Sequence, residues 1–396
     1  MTKPQRQKKT HLHSTERRNV LRVLTYAGAI MAFLIGSGFA TGQEIMQYYA
    51  SYGFWGLFGT GVIVLALISF VSIQFLVVGR REQFEKPSQI FEYFAGKYLG
   101  KFFDYFSILF VFLSFTVMVS GAAAVFDEHY QLPAWIGGFG LTFLVAVTVW
   151  FGLNSLVDVI GKIGPLIVVI AVGLGIVGIV NADTGLLAGH NMVADLDVTH
   201  ASNHWIVAGL SYVGFCMLWL AAFLTALGKT VPTEREARAG GLAGGIIFSV
   251  ACIIVGMGLL ANIDRVAGMQ IPMLVLATDI APFVASLISI MILAGIYTTA
   301  IPLLWTVASR FYPDGTRKYK FLTIFLALLG TVIGLWLPFD QMVNIVYVIN
   351  GYVGAVLLAI MVVVTIRRAI VNRRHIGHEQ SAGTAAQPTR IPAQDS

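Results

Sequence analysis

Three short stretches hold residue types that can bind or move a small solute. The first is "LIGSGFATGQE", residues 34–44, where Gly36, Ser37 and Gly38 are followed by Gln43 and Glu44 in an apolar surround. Glycine costs about 1 kcal/mol relative to alanine inside a helix, so a helix entering this run is expected to break at 36–38. A break frees carbonyls near Ala32 to Ile35, which suit a cation. It also frees N–H groups from Gly38 onward, which suit an anion such as a carboxylate. The competing reading keeps the helix whole and uses the small residues for close packing. The second stretch, "GLSYVGFCM" at 209–217, has similarly soft residues, and a break near Tyr212, Val213, Gly214 and Phe215 would supply a facing wall. The third places Thr298 and Thr299 one turn after Gly295. Their hydroxyls either return to their own helix carbonyls or serve as oxygen ligands for Na⁺, completed by carbonyls of the first break.

Two charged residues bear on coupling. Glu44 lies six residues beyond Gly38, about 9 Å along a straight helix, and a charge inside a membrane is expensive unless it meets water or a partner. It can hold a proton, contact a cationic group of a solute, or open into a water-filled mouth and stay ionised. Lys162, one turn after Asp158, is the other proton-coupling candidate; at the edge of its span it is also placed to snorkel and pair with Asp158.

The elements that position these residues are membrane spans. The chain is 57% hydrophobic and 12% charged, about half the charged fraction of a soluble protein. Hydropathy gives ten crossings, at roughly 22–50, 55–79, 102–126, 134–152, 161–181, 204–228, 241–261, 284–309, 320–337 and 341–366. With the N-terminal tail inside and each span changing side, 25 of the 26 Lys and Arg residues fall in inner segments, leaving Arg265 outside. The net charge of +6 is therefore read as orientation against anionic lipid, not as nucleic-acid binding. Cys216 and Cys252 both sit in apolar runs and suggest no disulfide.

Organisation follows from the count. Residues 1–21 form a basic cytoplasmic tail, 22–181 a first set of five spans and 182–203 an extracellular loop. A second set of five occupies 204–370, and a small, polar tail expected to be disordered occupies 371–396. Two tandem sets of five must run oppositely through the membrane, as an inverted repeat. The fold class is thus all-α and polytopic, with discontinuous spans one and six. Residues 262–283, broken by Pro272 and Pro282, are expected to form short helices over the outer mouth. "EKPSQIFEYFAGKYLG" at 85–100 reads as an interfacial helix.

"GSGFATGQE" followed by "YYASYGFWG" resembles the first span of YkvI-type bacterial membrane proteins, in the amino acid–polyamine–organocation superfamily with its LeuT-like five-plus-five fold. "LAGIYTT" resembles the sodium-site stretch of sodium-coupled members, and "ALGKTVPTEREARAGGLAGG" also fits. The resemblance covers about residues 20–370. It implies a bacterial cytoplasmic-membrane protein with a mid-membrane substrate site between spans one, six, three and eight. Carried over by position, that site is Gly36, Ser37 and Gly38 with Tyr212 to Phe215, and the cation ligands are Ala32, Ile35, Thr298 and Thr299. Cys216 stands where the family pattern has an amide side chain.

The expected function is secondary active transport of a small solute, an amino acid or related amine or carboxylate, coupled to Na⁺ or H⁺. No cofactor beyond Na⁺ is expected. The rival is a non-transporting ligand sensor on the same fold; a channel lacks a continuous polar stripe, and no span carries metalloenzyme spacing such as HExxH.

Overall fold

The computed structural model describes the backbone of residues 4–151 and 157–385, with side-chain surroundings for 19–150 and 166–371. Among these residues every regular element is helical. The helices are α1 (Pro4–Leu34), α2 (Ser37–Thr41), α3 (Gln43–Tyr48), α4 (Gly61–Glu82), α5 (Gln89–Glu128), α6 (Ala134–Phe151), α7 (Val157–Val180) and α8 (Gly185–Met192). They continue as α9 (Trp205–Gly228), α10 (Glu234–Ala261), α11 (Ile263–Val266), α12 (Pro272–Ile280), α13 (Pro282–Phe311), α14 (Arg317–Gly334) and α15 (Phe339–Ala385).

Six helical segments are long and apolar enough to cross a bilayer alone: Trp55–Glu82, α5, α9, α10, α13 and Phe339–Val371. The pair Leu166–Val180 and Gly185–Asp195, bent by 93°, makes seven if taken as one span. The ten-span reading needs three shorter pieces as well. Asn19–Leu34 is cut short by the break after it, and α6 and α14 have 18 residues each, about 27 Å of helix against a hydrocarbon core of about 30 Å.

Helices α1, α4, α9 and α10 pack on one another, and α5, α6, α13 and α14 form a second such group. Between them, α15 lies against both α9 and α5, while α7 touches α10, α1 and α13. The short helix α2 packs against α5 and α13, so this piece of the first span sits on the seam between the groups.

Several expectations need correction. The sixth span is not discontinuous: α9 runs unbroken through Tyr212–Phe215. Its Gly214 serves close packing instead. A methyl group there would overlap the Gly351 carbonyl oxygen on α15, and one on Gly354 would overlap the Gly214 carbonyl. Small residues thus bring two backbones together, which is how membrane helices gain van der Waals contact without a hydrophobic drive. The interfacial helix at 85–100 is interrupted at Gly96, which has φ 74°. The tail from 371, expected to be disordered, continues α15 as far as Ala385; residues such as Arg, Ala and Glu in it are good helix formers. Residues 386–396 lie outside the described residues.

The 262–283 segment does form two short helices, α11 and α12, with Pro272 and Pro282 in the first turns of α12 and α13, where the missing N–H costs nothing. Cys216 and Cys252 are free and buried.

The glycine seam predicts that Gly354→Ala destabilises the protein by about 1–3 kcal/mol through overpacking. Gly140→Ala, whose added methyl meets nothing within 4 Å, should be neutral or slightly stabilising. Thermal unfolding of the two variants in detergent compares them directly.

Candidate functional site

Helix α1 is interrupted at Ile35 and Gly36. The Ile35 N–H still bonds to the Met31 carbonyl at 3.2 Å, and the pattern resumes with Ala40 N–H on Gly36 O at 3.1 Å. Between these two bonds, among the described residues, no backbone bond joins the carbonyls of residues 32–35 to the N–H groups of 36–39. Gly36 is extended there, with φ −108° and ψ −166°. The break therefore falls one or two residues earlier than 36–38, and Ser37 and Gly38 already belong to the next helix.

A second turn follows at Gly42, in the left-handed region at φ 85°, which glycine enters without steric cost. This turn carries Glu44 back toward the break instead of about 9 Å beyond it. A Cβ on Gly38 would lie 2.7 Å from Glu44 Oε2 and 2.9 Å from Glu44 Cβ. Glu44 is fully buried. Its Oε1 accepts a 2.5 Å bond from the Tyr212 hydroxyl, and its Oε2 has no partner. Among the described residues no Lys, Arg or His forms an ion pair with it.

The aromatic wall comes from an intact helix. On α9, Tyr212, Phe215 and Trp219 follow at intervals of three and four, the spacing of one helical face. The Tyr212 ring packs edge-on against Tyr48 and Tyr49 of the first span, and Phe215 stacks on Tyr347 of α15 at 4.8 Å. A Cβ on Gly36 would approach Met118, Trp219 and the Tyr347 hydroxyl at 3.4–3.9 Å. From α5, Gly121 faces Ser37, while Ile296 of α13 closes the same spot. Buried oxygens without a hydrogen-bond partner gather on these residues: Ser37 Oγ, Gln43 Oε1, Glu44 Oε2 and the hydroxyls of Tyr48, Tyr49 and Tyr347. Unpaired buried polar atoms on this scale are uncommon in folded proteins.

Of the residues singled out in the sequence, Gly36, Ser37, Gly38, Glu44, Tyr212 and Phe215 come together. Gln43 is buried beside them and bonds through its N–H to Thr41 Oγ1. Val213 and Gly214 are also buried, and Gly214 faces α15. Thr298 gives its hydroxyl to the Gly295 carbonyl at 3.1 Å, the local bond that competes with ion ligation. Ala32 is half-buried on α1 and Ile35 lies at the break. Lys162 lies on α7, and its side chain falls outside the described residues, as does that of Asp158. Tyr48, Tyr49, Trp219 and Tyr347 went unnoticed in the sequence. Tyrosines within otherwise apolar runs are the available signal, but tyrosine is also common at membrane interfaces.

One side of the break is closed by a polar layer. Gln47 donates to Asp340 O at 2.8 Å and accepts from Asn344 at 3.0 Å. Glu128 accepts from the N–H groups of Gln270 and Ile271 at 2.8 and 3.0 Å, and Gln270 Oε1 accepts from Phe339 N–H at 2.7 Å. Met273 of α12 packs on Gly42, so the 262–283 segment lies directly over the broken span.

No family model matches the chain. Two proteins of Bacillus subtilis strain 168 are similar along most of it. The uncharacterized protein YyaD is 25% identical over 331 residues, covering 83% of this chain and 93% of the relative. The uncharacterized membrane protein YkvI is 24% identical over 331 residues, covering 83% and 91%. The chain is thus similar to YkvI-type membrane proteins along most of its length. Its fold is LeuT-like. Mhp1 in its inward-facing conformation matches with TM-score 0.61 at 12% identity, over 86% of this chain and 75% of that one. MhsT, solved with L-phenylalanine, matches at 0.53 and 16% identity, over 85% and 88%. The manganese transporter of Eremococcus coleocola matches at 0.54 and 14%, over 88% and 78%.

Tyr212→Phe removes the hydrogen bond to Glu44 and leaves both carboxyl oxygens without partners. The expected cost is about 1–3 kcal/mol, read as a lowered unfolding temperature in detergent, with Glu44→Gln in the same background recovering part of it. A Tyr212→Phe protein as stable as the unaltered one would remove this pair from the site.

Proposed function

We propose that the chain is a secondary active transporter of a small solute bearing an amine or carboxylate group, working by alternating access. The observation that carries this reading is the interrupted first span. Its unpaired backbone at Leu34, Ile35 and Gly36, the first N–H groups of α2 and the bare Glu44 oxygen are buried together. In hydrocarbon such groups survive only where protein, water or a ligand meets them. The fold neighbours supply the analogy: MhsT was solved with an amino acid, and another neighbour carries manganese.

The two packed helix groups support a rocking motion, because α2 lies on the seam that such a motion would open. They also support reading the chain as ten spans in two sets of five, since each group draws two consecutive crossings from either half, with α7 and α15 as the remaining pair. The polar layer of Gln47, Glu128, Gln270, Asp340 and Asn344 would be the outer gate, with both termini on the inner, positively charged side. Glu44 is the coupling residue in this proposal. A buried carboxyl without a cationic partner needs a counter-charge, and a proton or a solute amine can supply it as the site opens and closes. A Na⁺ site at Ala32, Ile35, Thr298 and Thr299 is the less supported route, since Thr298 is engaged with Gly295.

A thermal-shift screen of purified protein against amino acids and amines, in Na⁺ and in K⁺ and at two pH values, should return a stabilising ligand. The same ligand should accumulate in sealed vesicles under an inward proton gradient. Gly38→Ala, which drives a methyl into Glu44, should abolish both the shift and the uptake. Gly28→Ala, with nothing within 4 Å of the added methyl, should leave both intact. Glu44→Gln should lose gradient-driven accumulation. Binding without movement would make the protein a sensor, and uptake driven by Na⁺ alone would place coupling elsewhere.

A further inference from the structure

A second site lies on the membrane-facing side of α6 and α14, away from the broken span. There a groove of about 640 Å³ is lined by Phe139, Phe143, Ala146 and Trp150 of α6 with Ile324 and Leu328 of α14, among others. The two helices are joined at one end by a buried hydrogen bond between the hydroxyls of Thr142 and Thr331, 2.6 Å apart. Toward the other end, the buried Tyr319 hydroxyl reaches the Val149 carbonyl at 3.5 Å. Along α6 the lining runs eleven residues from Phe139 to Trp150, about 16 Å, which matches the hydrocarbon depth of one leaflet, about 15 Å.

The end marked by Trp150 is basic. The Lys320 ammonium sits over the Trp150 ring, 4.9 Å from its centroid, and exposed Arg317 and Lys318 precede it in the first turn of α14. The nearby Asp314 carboxylate accepts from the Trp305 indole N–H at 3.2 Å. Among the described residues no carboxylate forms an ion pair with Arg317, Lys318 or Lys320.

We infer that this groove holds one anionic phospholipid, with an acyl chain between α6 and α14 and its phosphate at Lys320. The apolar lining selects a hydrocarbon chain, and its length fits a single leaflet. The basic end selects a negatively charged headgroup. Because α6 and α14 belong to the same packed group, the lipid holds this pair together without crossing the seam.

The test is native mass spectrometry of the full chain in detergent, titrated with phosphatidylglycerol and phosphatidylcholine of identical acyl chains. The unaltered protein should prefer phosphatidylglycerol. Lys320→Gln should cut that preference about five-fold, corresponding to about 1 kcal/mol for one lysine near anionic lipid, while phosphatidylcholine still binds. Ala146→Phe fills the groove and should weaken both lipids alike; if it fails to fold, Val147→Trp at a more exposed lining position serves instead. Equal affinity for the two lipids, an unchanged preference in Lys320→Gln, or a dimer that Ala146→Phe dissociates would each overturn the inference.

Discussion

Backbone polarity inside hydrocarbon is the constraint on which this structure turns. A helix can cross a bilayer because it satisfies its own carbonyls and N–H groups, and each group left unpaired costs several kcal/mol. The chain violates this rule at Ile35 and Gly36 and buries both residues. Tyr347, Trp219 and Met118 cover Gly36, Gly121 and Ile296 cover Ser37, and α12 lies over Gly42. The surrounding helices keep Leu34, Ile35, Gly36 and Ser37 buried.

Glu44 depends on the same break. Without the left-handed turn at Gly42, the carboxyl would continue along the helix toward the membrane surface. With it, the side chain doubles back over Gly38, where only a hydrogen atom fits. Two glycines four residues apart thus have different duties: one supplies a φ that other residues avoid, the other supplies room. The Tyr212 hydroxyl then reaches Glu44 from the second half of the chain, 168 residues away, so the site exists only when both halves are assembled.

Much of the helical framework could be read from sequence because hydropathy reports directly on the solvent each segment meets. Gly36-Ser37-Gly38 marked the interruption only together with Glu44 beyond it, since small residues serve close packing equally well, and Pro272 and Pro282 marked the starts of α12 and α13. What failed was the expected break in the sixth span. "SYVGFCM" resembled the first break in softness, yet a lone Gly214 in a helix is equally suited to touching Gly351 and Gly354, and those partners lie some 140 residues further on. Composition gives the capacity for a break; only the neighbouring helix decides between a break and a close approach. The position of Glu44 was illegible for a related reason, because a straight-helix rise cannot anticipate a turn at Gly42.

The intact sixth span changes how the site has to work. If both spans were broken, each could offer carbonyls and N–H groups from opposite walls. Here the free backbone comes from the first span alone, and α9 contributes side chains: a hydroxyl, two further rings and the thiol of Cys216. Aromatic rings are rigid and keep a fixed distance from the break, whereas α1, α2 and α3 are joined through two turns that can adjust. The asymmetry assigns flexibility to the first span and shape to the sixth. It also explains why the departure at Cys216 is tolerable. On an unbroken helix that residue has no freed carbonyl beside it to complement with an amide, and its small thiol is buried without needing such a partner.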